Sequence, residues 1–445
     1  MNISCDETSP MLIDYPDIIK FGLKQVEVQV GQRIVRLKNF NGTPIKNKLV
    51  QINKKYAKLL LLPVHCQLRY KIKNKNPLRL QLGPVVGILT TVNYNPVSGL
   101  PRGKEAYYFA ELITYAHRLG IFIYLFYPSD VNWNNNTIKG YTLDTKRKFP
   151  KWEEGLYPIP DIVYNRIRSR SIENKPNVLK LLNKFESKGI TLFNSRFLDK
   201  WVVYNALQSN PFLVQTLPPT AIFSYDNLKD YLAKYSEVFI KPRNSSIGKG
   251  IIKVVKHSDK YMFAQARSNK INWQPCSSFD QLYNAVTTIV VHSSRYIIQM
   301  GIDLAKVDNK IFDLRVLVQK DKEGQWILSG TGVRAAAPEH FVTHIPNGGS
   351  ARPYEDVVQQ VFSYSTAAKK IFNEQLKVIA TEAPQTLERI TGLLLAILSV
   401  DIGIDREGKM WIIEMNSKPS SFDETIIRDN YLKHFNDYCI HIFSL

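Results

Sequence analysis

Two apolar runs near the C-terminal end of the chain, 400–405 and 409–416, constrain the fold most strongly. A short turn that contains a glycine separates them, a pattern that predicts a β-hairpin. Asp401 lies in the first run, and Glu414 and Asn416 interrupt the second. Because Glu414 and Asn416 are two residues apart, they share one face of a strand. If the two runs pair, Asp401 comes near both.

These three polar residues are a candidate metal site. Carboxylate and amide oxygens are ligands that Mg²⁺ takes in proteins, usually beside the phosphates of a substrate. The alternative is that Glu414 and Asn416 lie on a solvated strand face. That alternative is weakened because the two residues interrupt an otherwise apolar strand just before Pro419.

A second signal is a lysine at the end of an apolar strand, followed by a loop rich in serine and glycine. Lys241 ends the apolar run 238–241 just before Pro242, and the loop that follows contains Ser246, Gly248 and Gly250. Small residues let the backbone approach a polyphosphate, and the lysine can reach a phosphate as a point charge. The loop lacks the Gly-Lys-Ser/Thr ending and the following helix of a Walker loop. By itself, such a hairpin is more commonly an ordinary turn.

Two arginines extend this chemistry. Arg315 alternates with apolar residues in the run 312–318, which predicts a strand buried on one face. An arginine there needs a partner, and an anion in a cleft would serve. Arg334 follows a predicted strand at 326–329. Either arginine could stabilise negative charge on a transferring phosphoryl group.

The segment after residue 80 has the hydrophobic pattern of a parallel α/β domain. Apolar strands and an amphipathic helix alternate there, at 85–89, 104–119, 121–127 and 161–166. Strand, helix and strand in this order predict a parallel sheet. Ligands usually bind at the carboxyl ends of such strands, which makes Asn165, Arg166 and Arg168 candidate substrate residues. The alternative is that the arginines cap the sheet or pair with acids.

The alternating pattern within residues 1–80 predicts a small β-rich module. Alternation over 26–37, with Gly31 at the turn, indicates a hairpin, and 58–64 and 68–72 also look like strands. The basic segment 71–79 is expected to be a linker that ends the module.

The length of the chain limits the number of domains, and its charge limits the classes of partner. A chain of 445 residues predicts roughly two to four domains. Lys plus Arg exceed Asp plus Glu by 59 to 39, a net charge of +20. Such a charge favours an acidic partner, whether nucleic acid, an anionic membrane, an acidic polypeptide or phosphorylated ligands. A general surface preference for lysine is the alternative.

Cysteine spacing and hydropathy point to a reducing compartment. The four cysteines are far apart and form neither a zinc motif nor a disulfide framework. The N-terminal segment lacks the pattern of a secretory signal, and the apolar run 392–400 is too short to span a bilayer. We therefore expect a cytoplasmic protein without a membrane span.

The combined order of these motifs resembles the ATP-grasp superfamily. Over nearly the whole chain it is similar to the endospore coat-associated YheC/YheD-like family, and four segments carry the resemblance: 83–90, 163–166, 312–315 and 401–405. The resemblance implies a mixed α/β (α+β) protein with an ATP-grasp fold, preceded by a parallel α/β domain and the N-terminal β-rich module. The implied domains are 1–80, 81–195, 196–304 (nucleotide-binding subdomain) and 305–445 (C-terminal subdomain with the metal ligands).

The resemblance also implies a role for each matching residue. The nucleotide-binding lysines are Lys200 and Lys241, and Ser246, Gly248 and Gly250 form the loop that covers the phosphates. Gln299, Ile302 and Asp303 match the hinge that reads adenine, with Asp303 holding the ribose. Asp401, Glu414 and Asn416 match the ligands of Mg²⁺, as two ions, and Arg334 the arginine near the γ-phosphate, with Arg315 as the other catalytic arginine.

The implied activity is ATP-dependent carboxylate–amine ligation through an acylphosphate. Its substrates are a small-molecule or peptide carboxylate and an amine, with acidic peptides or spore coat proteins as partners and a mother-cell cytoplasmic location at the coat. Two departures, at Thr343-His344 and at 417–420, fall where the acyl acceptor pocket is expected. Two alternatives stay open: an ATP-binding coat assembly protein without turnover, and a nucleic-acid-binding protein, which no recognised motif supports.

Overall fold

The computed structural model describes residues 12–13, 25–38, 50–51, 54–63, 68–75, 78–93, 95, 98–144, 150–245, 248–258, 260–266, 271–337, 340–343, 349–362, 365–420, 422 and 424–445. Backbone contacts divide the chain into two compact units. The first consists of 1–196, 320–325 and 431–445, and the second of 197–319 and 326–430. Each unit is described by itself below.

The first unit begins with two small sheets. One pairs β1 (Leu12–Ile13) with β4 (Val50–Gln51). The other has the order β3-β2-β6-β5 and consists of β2 (Gln25–Val30), β3 (Arg33–Lys38), β5 (Arg69–Lys75) and β6 (Leu78–Gly83). The predicted hairpin is confirmed, since β2 and β3 pair around Gly31, whose positive φ of 54° suits glycine.

Two predictions for this module were wrong. The basic segment 71–79 is no linker, because most of it lies in β5 and β6, where Leu78 and Leu80 face the core between the cations. The predicted strand 58–64 begins instead in helix α1 (Lys54–Leu59). Ala57 and Leu60 are both buried, a spacing of three that fits a helix turn better than a strand.

A seven-stranded sheet forms the rest of the first unit, in the order β11-β10-β8-β7-β12-β13 with β9 beside β10. The pairs β7–β8, β7–β12 and β12–β13 are parallel, which confirms the predicted parallel α/β region. The strands are β7 (Val85–Leu89), β8 (Phe122–Phe126), β9 (Val131–Asn132), β10 (Thr137–Asp144), β11 (Lys151–Pro158), β12 (Ile162–Asn165) and β13 (Thr191–Phe193).

The helices between residues 104 and 187 that accompany this sheet are α2 (Lys104–Arg118), α3 (Arg170–Glu173) and α4 (Pro176–Ser187). Helix α2 matches the predicted helix, and Gly120 follows its end with a φ of 75°. The central strands β7, β8 and β12 are buried along their whole length, as expected of parallel strands.

The second unit contains two six-stranded sheets. The first is antiparallel, in the order β14-β19-β15-β16-β17-β18. Its helices α6 and α7 are capped by Ser224 and Ser278, whose hydroxyls accept a hydrogen bond from the backbone of the first turn. The elements are α5 (Lys200–Gln208), β14 (Thr220–Ile222), α6 (Tyr225–Lys234), β15 (Glu237–Pro242), β16 (Ile252–His257), β17 (Lys260–Gln265), β18 (Gln274–Cys276), α7 (Phe279–Ile289) and β19 (Tyr296–Met300).

The other sheet of the second unit has the order β23-β22-β21-β24-β25, with β20 beside β21. Its core includes buried residues of α5 and α9. The elements are β20 (Lys306–Val307), β21 (Lys310–Lys320), β22 (Trp326–Ala335), β23 (Ser350–Arg352), α8 (Tyr354–Phe362), α9 (Thr366–Thr391), β24 (Ile397–Ile404), β25 (Met410–Asn416) and α10 (Thr425–Ser444), whose last residues belong to the first unit.

No helix in the described part of the chain is long and apolar enough to cross a membrane. Cys276 and Cys439 are buried free thiols, and Cys5 and Cys66 lie outside the described residues. The predicted domain boundaries stay predictions.

Candidate functional site

The predicted C-terminal hairpin is formed by β24 and β25, and it brings two carboxylates together. Asp401 lies directly opposite Glu414. This register depends on a bulge, because Ile402 pairs with Ile412 and Ile413 is the extra residue. Without it, Ile413 would face Asp401. The bulge therefore places both carboxylates on one face, with Asn416 two residues further along that face.

Strand β21 adds a second pair of charges to the same face. Its Arg315 lies opposite Asp401 on β24, and Asp313 is two residues earlier. Directly opposed residues of antiparallel strands share a face, as do residues two apart. Three neighbouring strands thus present acidic and basic side chains on one face.

Arg334 is locked between two of these carboxylates. Its Nε and Nη2 donate to Oδ1 and Oδ2 of Asp313, both at 2.9 Å, and Nη2 also lies 3.0 Å from Oδ2 of Asp401. The Thr343 hydroxyl donates to Asp313 as well. Burial alone lowers the pKa of Arg334, but the carboxylates of Asp313 and Asp401 outweigh it and raise the pKa above its ordinary value. The predicted strand end at 329 was wrong, since Arg334 lies within β22.

Arg315 is held less tightly. Its Nη1 lies 3.4 Å from Oδ1 of Asp401, and its guanidinium lies 5.5 Å from the centre of the Phe422 ring. Burial lowers the pKa of Arg315, and Asp401 only partly opposes this. Asp401 itself is 3% exposed and has an arginine at each carboxylate oxygen.

Lys200 approaches the hairpin from helix α5. The Asp199 carboxylate caps this helix by accepting from the backbone N–H of Trp201 and Val202, so the helix begins at Lys200. The Lys200 Nζ lies 3.2 Å from Oε1 of Glu414 and donates to the Ser245 carbonyl at 2.9 Å. One ammonium group therefore links helix α5, strand β25 and the glycine-containing loop.

Lys241, on β15, is the second predicted lysine. Its buried Nζ donates to Oε1 of Gln299 at 2.5 Å, and Gln299 donates in turn to the Thr220 hydroxyl at 3.0 Å. Burial lowers the pKa of Lys241 to about 8; Glu414 opposes this shift and Lys200 adds to it. The charges of the two lysines and Glu414 thus act on one another.

The predicted hinge residues lie near the end of β19, which contains Gln299, and just after it. Ile302 is half-buried, and Asp303 is 68% exposed and forms an ion pair with Arg406 at 3.0 Å. The Gln299 side chain is bonded to Lys241 and Thr220, whereas the Asp303 side chain is exposed.

The loop between β15 and β16 is partly described. Ser246 lies outside the described residues, whereas Gly248 and Gly250 have positive φ angles of 68° and 77°. A Cβ at Gly250 would lie 3.0 Å from Cγ of Pro242. Both the turn and the close approach therefore require glycine.

Asp199 anchors the first half of this loop. Its carboxylate accepts from Nε of Arg243 at 3.1 Å and from Nδ2 of Asn244 at 2.9 Å. The cap of helix α5 and the stem of the loop are therefore fixed by one side chain.

The donor set fits Mg²⁺ in kind. Asp401 and Glu414 supply carboxylate oxygens and Asn416 an amide oxygen, all on one face. Among the described residues no group of three or more His, Cys, Asp and Glu could hold a metal by itself. A site of two carboxylates and an amide would rely on water and substrate phosphates to complete the coordination shell of Mg²⁺.

The cluster as a whole has an excess of one positive charge. It contains four cations, Lys200, Lys241, Arg315 and Arg334, and three carboxylates, Asp313, Asp401 and Glu414. A complex of an anionic ligand with a divalent cation suits this small positive net charge.

The residues beside the predicted acceptor pocket are only partly described. Thr343 is buried and bonded to Asp313, and His344 lies outside the described residues. Ser417 and Lys418 are buried, and the Lys418 Nζ lies 4.5 Å from the centre of the Phe197 ring.

The predicted substrate residues belong to the first unit. Asn165 is fully buried; its amide donates to Oε2 of Glu173 and to the Ser195 carbonyl at 2.9 and 2.7 Å. Arg166 is buried, and Arg168 lies 3.7 Å from Glu105. These contacts agree with the alternative that this end of the sheet is held by polar pairing.

Sequence reasoning missed two parts of the site. It gave no role to Asp313, although an acid two residues before Arg315 on a strand is a signal for a shared face. It also missed the contact of Lys200 with the Ser245 carbonyl, which depends on tertiary packing and leaves no local signal.

Comparison with known proteins gave two curated relatives in Bacillus subtilis (strain 168). The endospore coat-associated protein YheD is 27% identical over 351 residues, covering 76% of this chain and 73% of YheD. The endospore coat-associated protein YheC is 25% identical over 326 residues, covering 72% of this chain and 86% of YheC.

Among solved structures, the D-Ala:D-Ser ligase VanG from Enterococcus faecalis aligns with a TM-score of 0.46 and 14% identity, over 81% of this chain and 99% of VanG. The D-cycloserine synthetase DcsG aligns with a TM-score of 0.49 and 14% identity, over 80% of this chain and 99% of DcsG. Likenesses at this level carry no information on substrate.

The family assignment comes from the sequence itself. A family model described as YheC/D like ATP-grasp matches residues 189–442, more than half of the chain. Every residue of the charged cluster in the second unit falls within this match. The chain belongs to the YheC/D-like ATP-grasp family.

Proposed function

We propose that this protein is an ATP-dependent carboxylate–amine ligase. The observation that carries the proposal is the convergence of Lys200 with Glu414, opposite Asp401, with the buried Lys241 close enough for their charges to interact. Two lysines beside two carboxylates on a rigid sheet suit the phosphates of a nucleotide and the cation that accompanies them.

Lys200 and Lys241 bind the phosphates as point charges in this proposal. The loop that contains Gly248 and Gly250 covers the phosphates and excludes water, since its glycines let the backbone come close. Backbone groups of the hinge around Ile302 contact the adenine, and Asp303 holds the ribose after leaving Arg406.

Asp401, Glu414 and Asn416 are the proposed ligands of Mg²⁺, as two ions. Bound Mg²⁺ neutralises charge on phosphoryl oxygens. Two ion pairs position the proposed ligands in the metal-free protein. Arg334 holds the Asp401 carboxylate, and Lys200 orients the Glu414 carboxylate. Arg334 is thus a positioning residue, whereas the looser Arg315 is the arginine able to turn towards a transferring phosphoryl group.

The proposed chemistry has two steps. An oxygen of the substrate carboxylate attacks the γ-phosphorus of ATP, the bond to the bridging oxygen breaks, and ADP leaves an acylphosphate behind. An amine nitrogen then attacks the acyl carbon, the bond to the phosphate oxygen breaks, and an amide and inorganic phosphate form as the amine loses a proton. Positioning and charge neutralisation supply most of the catalysis in such phosphoryl transfers.

The remaining parts of the proposal are the substrate site and the location. Asn165, Arg166 and Arg168, at the end of β12 and just after it, are the proposed residues for the carboxylate substrate. The Asn165 amide would contact the substrate only after leaving Glu173 and the Ser195 carbonyl. The protein acts in the cytoplasm at the spore coat, as the names of YheD and YheC suggest.

A second candidate function is nucleotide binding without turnover, as a coat assembly protein. The observation that favours it is Asp401, whose carboxylate oxygens both have an arginine within contact distance. If these pairs persist when ATP binds, Asp401 is not free to take part in the reaction.

Turnover separates the two candidates. The purified protein is incubated with Mg-ATP, a pool of amino acids and acidic peptides, and ADP release is followed together with the masses of the products. The ligase predicts ADP release that depends on both a carboxylate and an amine, and a product mass that fits an amide. Binding of Mg-ATP without any ADP release would sink the ligase and leave the assembly protein.

A further inference from the structure

The positive charge of this protein is concentrated in its N-terminal part. Residues 18–83 contain fifteen lysines and arginines but only one acid, Glu27. Their net charge is therefore +14, out of +20 for the whole chain. The remainder of the chain is nearly balanced. A general surface preference for lysine would spread the excess evenly, so residues 18–83, the basic module, need a separate explanation.

The single acid of the basic module does not offset the charge at its surface. Glu27 lies on β2 between Arg36 on β3 and Arg79 on β6. Its carboxylate oxygens accept from Nε of Arg36 at 2.8 Å and from Nη2 of Arg79 at 2.6 Å. Glu27 is 8% exposed, whereas the Arg36 side chain is 80% exposed. The glutamate thus orders two arginines and leaves their positive charge outside.

The neighbouring cations crowd one another. Lys71 and Lys73 lie two residues apart on β5, and Lys73 is exposed. Burial lowers the pKa of Lys71, the charge of Lys73 lowers it further, and Asp161 partly opposes the shift. The like charges of Lys71 and Lys73 repel each other, and a polyanionic partner would relieve the repulsion. Lys58 of α1 is a further exposed cation of the module.

We propose that the basic module docks an acidic polypeptide through its exposed cations Arg36, Lys58 and Lys73. The choice of a polypeptide rests on the proposed ligase function, because a chain rich in Asp and Glu matches the charge and also presents the carboxylates that the reaction activates. Nucleic acid and an anionic membrane surface are the rival partners that the test below separates from a polypeptide.

The partner is a substrate-bearing chain or a chain that holds the substrate near the enzyme. Eleven of the fifteen cations are lysines, compact point charges that suit many arrangements of carboxylates. Binding should therefore depend on the charge density of the partner more than on its sequence, and weaken with added salt.

The test measures binding in the absence of nucleotide, so that it does not depend on ligase activity. A labelled short poly-L-glutamate peptide is titrated with the full-length protein, using fluorescence anisotropy at low and at physiological ionic strength. The triple variant R36Q/K58Q/K73Q is compared with a control of equal charge change, K180Q/K229Q/K377Q, whose lysines are exposed on α4, α6 and α9. Thermal unfolding checks that both variants are folded.

We expect the module variant to bind about tenfold more weakly and the control to match the wild type within about twofold. Equal binding by both variants would overturn the proposal. Tighter binding to a DNA duplex or to phosphatidylserine vesicles than to poly-L-glutamate would overturn it too, in favour of that partner. Binding of poly-L-glutamate by a protein that never releases ADP would leave this docking surface standing and remove the ligase function alone.

Discussion

Lys200, the first residue of helix α5, forms an ion pair with Glu414 of strand β25 at 3.2 Å. The same ammonium donates to the Ser245 carbonyl in the loop after β15. Both side chains of the pair are largely buried, at 11% and 14% exposure. A cation shared between the proposed phosphate-covering loop and a proposed Mg²⁺ ligand is placed to respond to a nucleotide.

Replacing Lys200 with alanine should weaken Mg-ATP binding at least about tenfold, or about 1.4 kcal/mol, because a phosphate contact and a loop contact are lost together. Isothermal titration calorimetry measures the change. Lys229→Ala, at an exposed position of α6, is the matched control and should bind ATP like the wild type. Equal affinities for the two variants would remove Lys200 from the nucleotide site.

Lys241 predicts a pH dependence of ATP affinity. Its pKa is lowered to about 8 in the ligand-free protein, chiefly by burial. Phosphate binding favours the charged amine and so raises this pKa. Affinity should therefore be constant below about pH 8 and fall as the pH rises above it, since the amine must take up a proton to bind ATP.

The measurement is the dissociation constant for ATP across this pH range in the wild type and in Lys241→Gln. The glutamine variant should bind more weakly at every pH and should have a flat profile. A wild-type profile that is also flat through pH 8 would show that Lys241 does not contact the phosphates in its charged form.

Arg334 and Arg315 should differ in their contribution to stability. Arg334→Met leaves the buried carboxylates of Asp313 and Asp401 without their shared cation and should cost about 3–5 kcal/mol. Arg315→Met should cost less, because its contact with Asp401 is longer and Asp401 keeps Arg334. Urea unfolding of both variants gives the comparison, and a larger loss for Arg315→Met would contradict the assigned network.

Gly250 should be needed for both the turn and its close packing. Gly250→Ala combines a positive φ of 77° with a Cβ placed 3.0 Å from Pro242, so the loop must shift and ATP binding should weaken. Gly189→Ala is the control, since its φ is 70° but no atom lies within 4 Å of the added Cβ. The control should cost about 1 kcal/mol of stability and leave ATP affinity unchanged. A similar affinity for both variants would argue against loop closure over the phosphates.

The strand pattern of the site could be predicted from the sequence because it depends on local periodicity. The pairing of 400–405 with 409–416, and the strands that carry Lys241 and Arg315, follow from apolar runs and turns. The failures were also local: 58–64 and 71–79 mix lysines with aliphatic residues, so a helix turn and two strands were mistaken for a strand and a linker.

The arrangement within the site could not be predicted, because it depends on contacts distant in sequence. The extra residue Ile413 aligns Glu414 with Asp401, yet a bulge leaves no mark in the apolar pattern. Arg334 looked free to reach a phosphate, but Asp313 and Asp401 hold it in place. Tertiary pairing of charges, more than strand propensity, decides which cation faces a ligand.

Glu414 provides the most direct test of the proposed ligase. Glu414→Gln keeps the shape of the side chain but removes the charge that faces Asp401 and Lys200. Hydroxylamine traps acylphosphates as hydroxamates, so it reports carboxylate activation without knowledge of the amine. With Mg-ATP and an acidic peptide, the wild type should form hydroxamate and ADP, and the variant should form them at least about 100-fold more slowly, or about 2.7 kcal/mol, with its unfolding temperature nearly unchanged. Hydroxamate formation by Glu414→Gln at the wild-type rate would contradict the proposed site.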